Sequence, residues 1–583
     1  MRYKLFIIIY LYLSGILAIN AQDLDQLGKQ KAFHINGGVG FNYTTTHAND
    51  SNRIPLPAFW SGNVNLNLDI YGFILPLTAV VTNGKVNLNN CFSQFGMSPH
   101  YKWITLHAGY RQYSYSPFIV SGQTFMGGGI ELHPWIFRLG FFTGQLHKAV
   151  AFDTLNIYQQ NIPGSYPLNV NTVNGVNYYS SQASYERWGW GAKFGFGKDN
   201  NYVDFILFKA QDRASSLKDT YSKTNLVPEE NLVLGLNVFQ RIGKHLSFGF
   251  NGAASIYTYN SDVADINDEL TVNIPLKGVL TKLIPIRPTT QFQWAGDVSL
   301  GLNFSSFSIQ TQYKRVEPYY KSMGITSTLS DLEMFSVQPS WSILHQKIRF
   351  IHSFQYQHDN INHYKQLTTG RVNFNTAVSA NLSNKWGIDL NYNYFNMCQT
   401  RQQTNLPDSI QAQQISNTFT IAPRYIYTTS KFADAVTLVG SYTDMDGGKM
   451  QNGIRNTVRN FYATLNNSFS LYKGGWSINS GLNYNSAKTA MSNLESYGFI
   501  AGVSKSLFNN TLGLSNNNTL LWNVLDGKPN GNTYSIDLSA TYSLKARHVL
   551  GLGFNYLYSP ANGVYNAHDF RQTRVMLSYQ YSF

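Results

Sequence analysis

Apolar and polar residues alternate with a period of two in many segments of the chain. One face of residues 63–70 carries valine, leucine and isoleucine, whereas the other carries asparagine and aspartate. Residues 371–382, 386–394 and 534–544 repeat this alternation. A period of two predicts β-strands with one apolar and one polar face. Such strands suit a barrel with lipid outside and water inside, although a water-soluble β-sandwich would show the same alternation.

The connections between the strands favour the barrel. Tight turns alternate with long polar segments, as in outer-membrane barrels, whose short turns are periplasmic and whose long loops are extracellular. The tight turns lie at residues 100–102, 197–200, 242–244, 383–385, 473–475, 508–510 and 545–547. The long segments lie near residues 147–182, 213–229, 260–289, 399–413, 444–454, 523–531 and 559–568. The fold class is therefore all-β: a single antiparallel transmembrane barrel of about 26 strands, or about 24 because residues 72–135 are ambiguous.

The C-terminal segment carries the most specific signal for this fold. Residues 574–583 read RVMLSYQYSF, with apolar side chains at alternate positions and a terminal aromatic residue. This pattern resembles the assembly signal by which outer-membrane barrels are recognised for insertion. The residues that would form the signal are Leu577, Tyr579, Tyr581 and Phe583. We expect this strand to face lipid and to close the barrel against the first strand.

The composition supports a membrane barrel and excludes a helical membrane protein. Charged residues make up 13% of the 583 residues and aromatic residues 15%, whereas soluble domains are about 25% charged. Transmembrane helices need about 20 consecutive apolar residues, and no such run follows the N-terminal segment. Tryptophans fall in two groups, one beside tight turns and one beside long loops, as in two aromatic girdles at the membrane interfaces. These tryptophans are Trp103, Trp135, Trp386 and Trp476 in the first group, and Trp60, Trp188, Trp190 and Trp522 in the second.

The N-terminal segment has the features of a secretory signal peptide. Arg2 and Lys4 precede an apolar stretch at residues 5–17, which is too short to span a bilayer, and a small residue at Ala21 suits cleavage. We therefore expect a signal peptide at residues 1–21, a short periplasmic segment at 22–32 and the barrel at 33–583. This division leaves no room for an N-terminal plug domain or a separate periplasmic module.

The net charge of +13 could indicate a nucleic-acid partner, but such a partner requires clustered basic residues. Lysines and arginines are instead scattered, mostly one to a strand or turn, so we expect no nucleic acid. In an exported barrel, basic residues contact anionic lipid head groups or draw anions into the lumen.

Several basic residues fall on the polar faces of predicted strands and are the candidates for lining the lumen. They are Arg111, Arg138, Lys193, Lys314, Arg349, Arg371, Arg424 and Arg574. Acidic residues on polar faces include Asp69, Glu131, Asp389 and Asp537. Solvated lumen charge explains the basic set, because charge on the lipid face costs about 2–4 kcal/mol at the bilayer centre. A cationic constriction that selects anions is the functional alternative.

Motifs for catalysis or cofactor binding were sought and not found. Gly127–Gly129 lies within a strand pattern, so it is a packing or bending site and not a phosphate loop. His107 and Ser114 lack a nearby acid, and His345, His352 and His358 are poorly spaced for one metal ion. We therefore expect no enzyme, no catalytic residue, no metal and no cofactor. Cys91 and Cys398 are far apart in sequence and are expected to be unpaired, although export would permit a disulfide.

Two stretches resemble large, uncharacterised outer-membrane barrels of the Bacteroidota that lack a plug domain. One is KRVEPYYKSMG at Lys314–Gly324, and the other is residues 92–138, with YKWITLHAGYR and SGQTFMGGGIEL. The Ala-Gln at the expected cleavage site also resembles exported proteins of that group. The resemblance implies an integral barrel in a Gram-negative outer membrane and carries no established activity. Lys314–Gly324 would otherwise be a well-anchored loop base.

Two functions fit these observations. The first is a porin-like channel or transporter of solutes, with a preference for anions if the basic residues form a constriction. The second is a scaffold or conduit for exporting or assembling surface material, with a protein partner in the lumen or periplasm. Either function implies contact with outer-membrane lipid, lipopolysaccharide and the barrel-assembly machinery. We expect occlusion of the lumen by the long loops 147–182 and 260–289.

Overall fold

The computed structural model describes most of the chain from residue 33 onward. The described residues are 33–49, 58–70, 73–82, 94–150, 170–173, 176–179, 184–217, 226–266, 277–326, 330–401, 412–449, 455–545, 547–561 and 569–583. The expected signal peptide and periplasmic segment at residues 1–32, and Cys91, lie outside this part of the chain.

The described residues form a closed antiparallel barrel of 26 strands, because two of the 27 segments of the sheet are parts of one interrupted strand. The interrupted strand comprises Gln94–Met97 and His100–Tyr101, both of which pair with the strands before and after them. The other strands are His34–Ala48, Ala58–Ile70, Phe73–Thr82, Ile104–Tyr113, Gln123–Leu132, Phe137–His147, Glu186–Lys198, Asn201–Arg213, Glu230–Ile242, Leu246–Thr258, Thr290–Asn303, Phe307–Val316, Leu332–Ile343, Ile348–His358, Leu367–Asn381, Trp386–Arg401, Gln413–Thr428, Phe432–Lys449, Arg455–Leu471, Trp476–Thr489, Asn493–Leu507, Leu512–Leu525, Lys528–Leu544, His548–Ser559 and Phe570–Ser582. The predicted fold class and strand number are thus confirmed.

The first and last strands close the barrel. His34–Ala48 pairs with Phe570–Ser582 over eleven residue pairs, from Gly38 with Ser582 to Ala48 with Gln572. Gly37 and Phe583 extend this seam by exchanging two backbone hydrogen bonds of 3.2 and 3.1 Å. Every strand therefore has a partner on both sides, so the sheet has no free edge. A barrel of 26 strands about 4.8 Å apart, tilted by about 40°, has a backbone radius of roughly 25 Å.

The connections lie at two ends of the barrel, which we call the short-turn end and the long-loop end. Each of the predicted tight turns lies at the short-turn end, where both chain termini of the barrel also lie. Two of the predicted long loops are shorter than expected. Residues 444–449 continue the strand Phe432–Lys449, and residues 528–531 begin the strand Lys528–Leu544. Asp526 and Gly527 have φ of 51° and 76° and form a two-residue hairpin turn, for which Asp-Gly is a favoured sequence.

The outward face of the barrel is mostly apolar, and the inward face is polar except for an apolar cluster on part of the wall. Phe205, Leu234 and Trp294 lie on adjoining strands with 53%, 37% and 41% of their surfaces exposed, and cross-strand pairing places them on one face. Asp204, Asn237 and other polar residues occupy the opposite face. The eight tryptophans of the two predicted groups lie at the corresponding barrel ends. No helix among the described residues has both the length and the apolarity needed to cross a bilayer.

The elements outside the barrel sheet are short and belong to connections that leave the strands at the long-loop end. They are the strands Val120–Ser121 and Gly324–Ile325, the strands Val170–Val173 and Val176–Tyr179, the 3₁₀ helix Ala214–Ser216 and the α-helix Lys277–Leu283. Val170–Val173 and Val176–Tyr179 form a hairpin, and Val120–Ser121 pairs in parallel with Gly324–Ile325.

Candidate functional site

The lumen contains the candidate site, and cross-strand register decides which side chains face it. Residues directly opposite each other on neighbouring strands share a face, and faces alternate along a strand. Followed around the barrel, this register places all eight basic candidates on the inward face. They are Arg111, Arg138, Lys193, Lys314, Arg349, Arg371, Arg424 and Arg574.

Three of these basic residues are paired with inward-facing carboxylates. The guanidinium of Arg138 donates two hydrogen bonds to Asp204, of 2.8 and 3.1 Å, and also lies over the ring of Tyr202. Arg424 forms an ion pair with Asp389. The ammonium of Lys193 lies 4.0 Å from Glu131. These carboxylates cancel much of the field that the three cations would exert on a passing anion.

The other five basic candidates form no ion pair with any described residue. Arg111 donates a hydrogen bond of 3.4 Å to the carbonyl oxygen of Pro76, and the ammonium of Lys314 lies 5.2 Å from the ring centre of Phe118. Arg349, Arg371 and Arg574 have no such contact in the part of the chain that is described, and the structure leaves Arg349 and Arg574 exposed. Among the eight basic candidates, the charge without a carboxylate partner is therefore carried by four arginines and Lys314.

Part of the lumen wall is covered by a segment that joins the strands Ile104–Tyr113 and Gln123–Leu132. We call residues 114–122 the first inward segment. Ile119 is fully buried, and its Cδ1 lies over Gly235 of the wall, only 1.9 Å from where a Cβ would be. Asn237, which also faces inward, donates a hydrogen bond of 2.7 Å to the carbonyl oxygen of Tyr115. The segment therefore lies inside the barrel and is fixed to its wall.

A second segment, residues 317–326, clamps the first and belongs largely to the stretch Lys314–Gly324 noted in the sequence. We call it the second inward segment. The hydroxyl of Tyr320 donates a hydrogen bond of 2.6 Å to the carbonyl oxygen of Phe118, and burial raises the pKa of Tyr320 so that the phenol stays protonated. The hydroxyl of Ser322 donates to the carbonyl oxygen of Ile119 at 2.7 Å. The two inward segments are therefore joined to each other by hydrogen bonds.

The second inward segment is also tied to the long-loop rim. The ammonium of Lys321 lies 2.9 Å from Glu229, which accepts a hydrogen bond of 2.6 Å from the hydroxyl of Tyr257. Arg187 bonds to the same carboxylate at 3.1 Å and to Asp212 at 2.7 Å. This network holds the end of the segment at a fixed height in the barrel.

The two segments bury an apolar cluster against one side of the lumen wall. Its side chains are supplied by the segments and by inward positions of nearby strands, and include Tyr113, Tyr115, Phe118, Ile119, Val120, Phe125, Phe142, Ile206, Phe208, Val233, Val316, Tyr320 and Met323. The wall beneath contains glycines because aromatic side chains lie directly on the backbone. A Cβ at Gly129, the last residue of the glycine run, would be 2.4 Å from the hydroxyl of Tyr113. The predicted packing role of Gly127–Gly129 agrees with this contact.

The opposite side of the wall is bare. Among the described residues of 386–583, Thr464 is the one non-glycine side chain that is buried. Inward positions there are rich in serine, threonine and asparagine, and cross-strand hydroxyl pairs such as Ser470 with Ser477 and Ser515 with Ser539 lie 2.8 and 2.7 Å apart. We call residues 386–583 the bare wall. It presents a hydrogen-bonding surface to the lumen, with the Asp389–Arg424 ion pair and the exposed Arg574 among its charged inward residues.

An open recess lies beside Arg349, between the covered and bare walls and near the short-turn end. Its volume is about 530 Å³, and its polar lining includes Ser340, Ser342, Ser379 and Asn381. Hydroxyls and an amide around an unpaired guanidinium can bind a hydroxylated anion, since each can donate a hydrogen bond to it.

The loop 260–289 differs from the expectation that it would enter the lumen. The second described part of this loop begins with the helix Lys277–Leu283, and the following Ile284 is buried against Leu232 and Ile256. Leu232 and Ile256 are outward-facing, so this part of the loop packs on the outside of the long-loop end. In the other expected loop, residues 151–169, 174–175 and 180–183 lie outside the described part of the chain.

The histidines singled out in the sequence are dispersed. His107 accepts or donates a hydrogen bond of 2.8 Å with Ser98 and not with Ser114. His352 faces outward and bonds to Thr376 at 3.0 Å, while His358 lies 3.4 Å from Glu333. The described residues contain no group of three or more histidine, cysteine, aspartate or glutamate side chains placed to hold a metal ion.

No protein-family model matches the sequence, and no curated protein matches it. Solved structures with a similar fold include the P pilus usher (PapC) translocation pore, with a TM-score of 0.39, 10% identity and coverage of 94% of this chain and 99% of that one. The FrpB iron transporter from Neisseria meningitidis, F5-1 variant, has a TM-score of 0.35, 11% identity and coverage of 96% and 84%. OccAB2 from Acinetobacter baumannii has a TM-score of 0.29, 10% identity and coverage of 66% and 98%. The likeness is one of fold.

The inward segments are the part of the site that the sequence did not identify as such. The sequence YSPFIVS at residues 115–121 is an apolar run between two strands, where a solvent-exposed loop would be polar. That run, together with the flagged Lys314–Gly324 stretch, was the available signal. Their pairing could not be read, because Tyr320 and Phe118 are 202 residues apart.

Proposed function

We propose that this protein is an integral outer-membrane channel through which small polar solutes diffuse. The bare wall is the observation that carries this proposal. It lines the lumen with hydroxyls and amides, while the inward segments cover only the facing side. A polar wall replaces part of the hydration of a solute without holding it tightly, which permits passage.

The anion preference of this channel rests on Arg349, Arg371 and Arg574. These arginines lack a carboxylate partner among the described residues, whereas Arg138 and Arg424 are paired. Arg349 lies at the polar recess and is the first contact that we assign to an anionic solute. Lys193 and Arg138 contribute less, because adjacent carboxylates offset their charge.

Planar-bilayer recording of the purified full-length protein tests the proposal. We expect stepwise conductance and a reversal potential shifted toward anion selectivity in a salt gradient. Replacing Arg349, Arg371 and Arg574 with glutamine should move the permeability ratio toward unity. Lys505→Gln is the matched control, because Lys505 faces outward over Trp476 and should leave selectivity unchanged. The preference should weaken at 1 M salt, where the Debye length is about 3 Å.

The absence of conductance from correctly folded protein would contradict the channel. The same bare wall then favours the second function, a conduit or scaffold whose partner lies in the lumen, since an extended polar surface can bind a protein segment through hydrogen bonds. Purification of the full-length protein from its native membrane distinguishes the two functions. A stoichiometric partner that protects the bare wall from modification would support the conduit.

A further inference from the structure

The outward face of one strand is interrupted by two amide side chains. Along Leu512–Leu525, the outward positions in order are Leu514, Asn516, Asn518, Leu520 and Trp522. Asn516 is opposite Val503 on one side and Leu538 on the other, which are 39% and 44% exposed on the lipid-facing surface. The two asparagines therefore belong to the surface that other strands fill with apolar residues.

These amides lie within the apolar belt and not at its edges. Leu514 is opposite Lys505, whose ammonium lies over the ring of Trp476 on the next strand. Leu514 therefore lies at the level of the tryptophans at the short-turn end. Trp522 lies at the long-loop end and stacks with Tyr497, with their ring centres 5.8 Å apart. Asn516 and Asn518 fall between these levels, where lipid tails offer no hydrogen bond.

Neither amide has a hydrogen-bond partner among the described residues. Oδ1 of Asn516 is covered by the chain itself, whereas the amide of Asn518 is partly exposed, so Asn518 is the side chain that a partner can reach. Elsewhere on the outward face, Nδ1 of His352 shares a hydrogen bond of 3.0 Å with the hydroxyl of Thr376, while the buried Nε2 of His352 has no partner among the described residues. A partly exposed amide surrounded by hydrocarbon is costly unless it is bonded, so Asn518 calls for a partner from outside the chain.

The surface around the asparagines is shaped for close approach. A groove of about 460 Å³ runs beside Asn516, with Val503, Leu538 and Leu552 among the apolar side chains that line it. Two of the outward residues nearby are small: Ala540 lines the groove, and Ala501 lies directly opposite Asn518 on the neighbouring strand. Small residues at a membrane interface let two protein surfaces pack closely.

We propose that this surface, formed by strands between Trp476 and Leu544, binds a second copy of the chain in a twofold dimer. Each amide carries both a donor and an acceptor, so a second amide is its natural complement. Copies inserted in the same orientation are related by an axis along the membrane normal, and rotation about that axis preserves depth. In a twofold interface the same patch meets itself, so Asn518 meets amides at its own depth. This inference does not depend on whether the lumen conducts.

Cysteine cross-linking in intact outer membranes tests the dimer. In full-length protein with Cys91 and Cys398 changed to serine, Asn518→Cys should form a cross-linked dimer on mild oxidation. Leu234→Cys is the matched control, since Leu234 is also outward-facing and 37% exposed but lies on a distant strand. It should remain a monomer. A double variant, Asn516→Leu with Asn518→Leu, should raise the dimer dissociation constant by about tenfold or more, measured by mass in detergent.

Three results would overturn the proposal. One is a monomeric mass for the unmodified protein together with no cross-link from Asn518→Cys. Another is equal cross-linking by Leu234→Cys, which would indicate random collision. The third is capture of a different protein by a photo-reactive residue at position 518, which would assign the surface to that partner. If the double leucine variant fails to fold, judged by loss of its heat-modifiable band, the cysteine experiment still decides.

Discussion

At the scale of single residues, a few polar side chains fix the first inward segment, because they donate hydrogen bonds to its backbone carbonyls. Tyr320 is 2% exposed and supplies the donor for the carbonyl of Phe118, and Ser322 does the same for Ile119. The adjacent Tyr319 is 68% exposed and has a left-handed φ of 64°. Neighbouring tyrosines thus have opposite roles, one fixing the inward segments and one facing solvent.

Tyr320→Phe should therefore loosen the inward segments. The substitution keeps the ring but leaves a buried carbonyl without a donor, at a cost of about 1–3 kcal/mol. We expect faster hydrogen exchange at residues 117–120, measured by mass spectrometry. Tyr319→Phe is the matched control and should leave exchange unchanged. Equal exchange in both variants would show that the Tyr320 hydroxyl does not hold the first segment.

At the residue level, strand alternation is the sequence feature that bears on the direction of a side chain. The inward placement of the eight basic residues follows from alternation once the strands are known, since a side chain's face depends only on its position along the strand. The pairing of Arg138 with Asp204 could not be foreseen in this way. Those residues are 66 positions apart, and their strands are brought together by the strand Glu186–Lys198, which pairs with both.

At the scale of elements, the strands were predictable and the inward segments were not. A strand carries its own period, whereas the first inward segment is defined by distant contacts, such as that of Ile119 with Gly235. At Asp526–Gly527, the polar composition of residues 523–531 led to a predicted long loop where the structure has a two-residue turn. The dipeptide itself, however, is typical of such a turn.

Gly235→Val should displace the first inward segment. The added side chain would occupy the space of Ile119, which is buried and cannot move without opening the apolar cluster. We expect a larger single-channel conductance, because the segment would leave the lumen wall. Gly513→Val is the matched control, since Gly513 also faces inward on a strand but has open space, with its nearest neighbour at 3.9 Å. An unchanged conductance in Gly235→Val protein would contradict a constricting role for the segment.

An ion pair joins Asp331, which directly precedes the strand Leu332–Ile343, to Lys365 in the loop before the strand Leu367–Asn381. This ion pair should respond to acid. The carboxylate of Asp331 lies 2.5 Å from the ammonium of Lys365 and accepts a hydrogen bond of 2.9 Å from the amide of Ile361. Burial alone would raise the pKa of Asp331, but these bonds outweigh it and lower the pKa. A lowered pKa means that the contact stabilises the loop fully above the unfolded value of about 3.9, and that stabilisation is lost as pH falls through the folded value.

Pepsin, which is active in acid, can report this loss. We expect cleavage within residues 359–367 to accelerate as the pH is lowered below about 4. Pepsin activity itself varies with pH, so cleavage of the unmodified protein is compared with that of Asp331→Asn at each pH. The variant should be cleaved faster near pH 5, and the two rates should converge as the pH falls. If their ratio does not change with pH, the Asp331–Lys365 contact does not control this loop.

At the scale of the whole molecule, closure depends on the last strand. Phe570–Ser582 pairs on both sides, with His548–Ser559 and His34–Ala48, so its loss would leave two unpaired edges. The outward residues Leu577, Tyr579, Tyr581 and Phe583 were predicted from sequence as the assembly signal. Deleting residues 574–583 should abolish the heat-modifiable barrel in outer-membrane fractions. Alanine at Gln580, an inward position of the same strand, is the control and should insert normally.

The lumen as a whole is asymmetric, and chemical access should reveal this asymmetry. Ala253 and Ser539 both face inward, but Ala253 is 7% exposed beneath the inward segments whereas Ser539 is exposed on the bare wall. In protein whose native cysteines are changed to serine, Ser539→Cys should react rapidly with a charged, membrane-impermeant thiol reagent. Ala253→Cys should react slowly, since the reagent cannot reach the wall behind the segments. The difference should disappear when Gly235→Val is added, because displacement of the first segment would uncover Ala253. Rapid labelling of both cysteines in the otherwise unmodified barrel would mean that the segments do not cover the wall at Ala253. Slow labelling at both positions would indicate a partner or loop over the bare wall, as the conduit function requires.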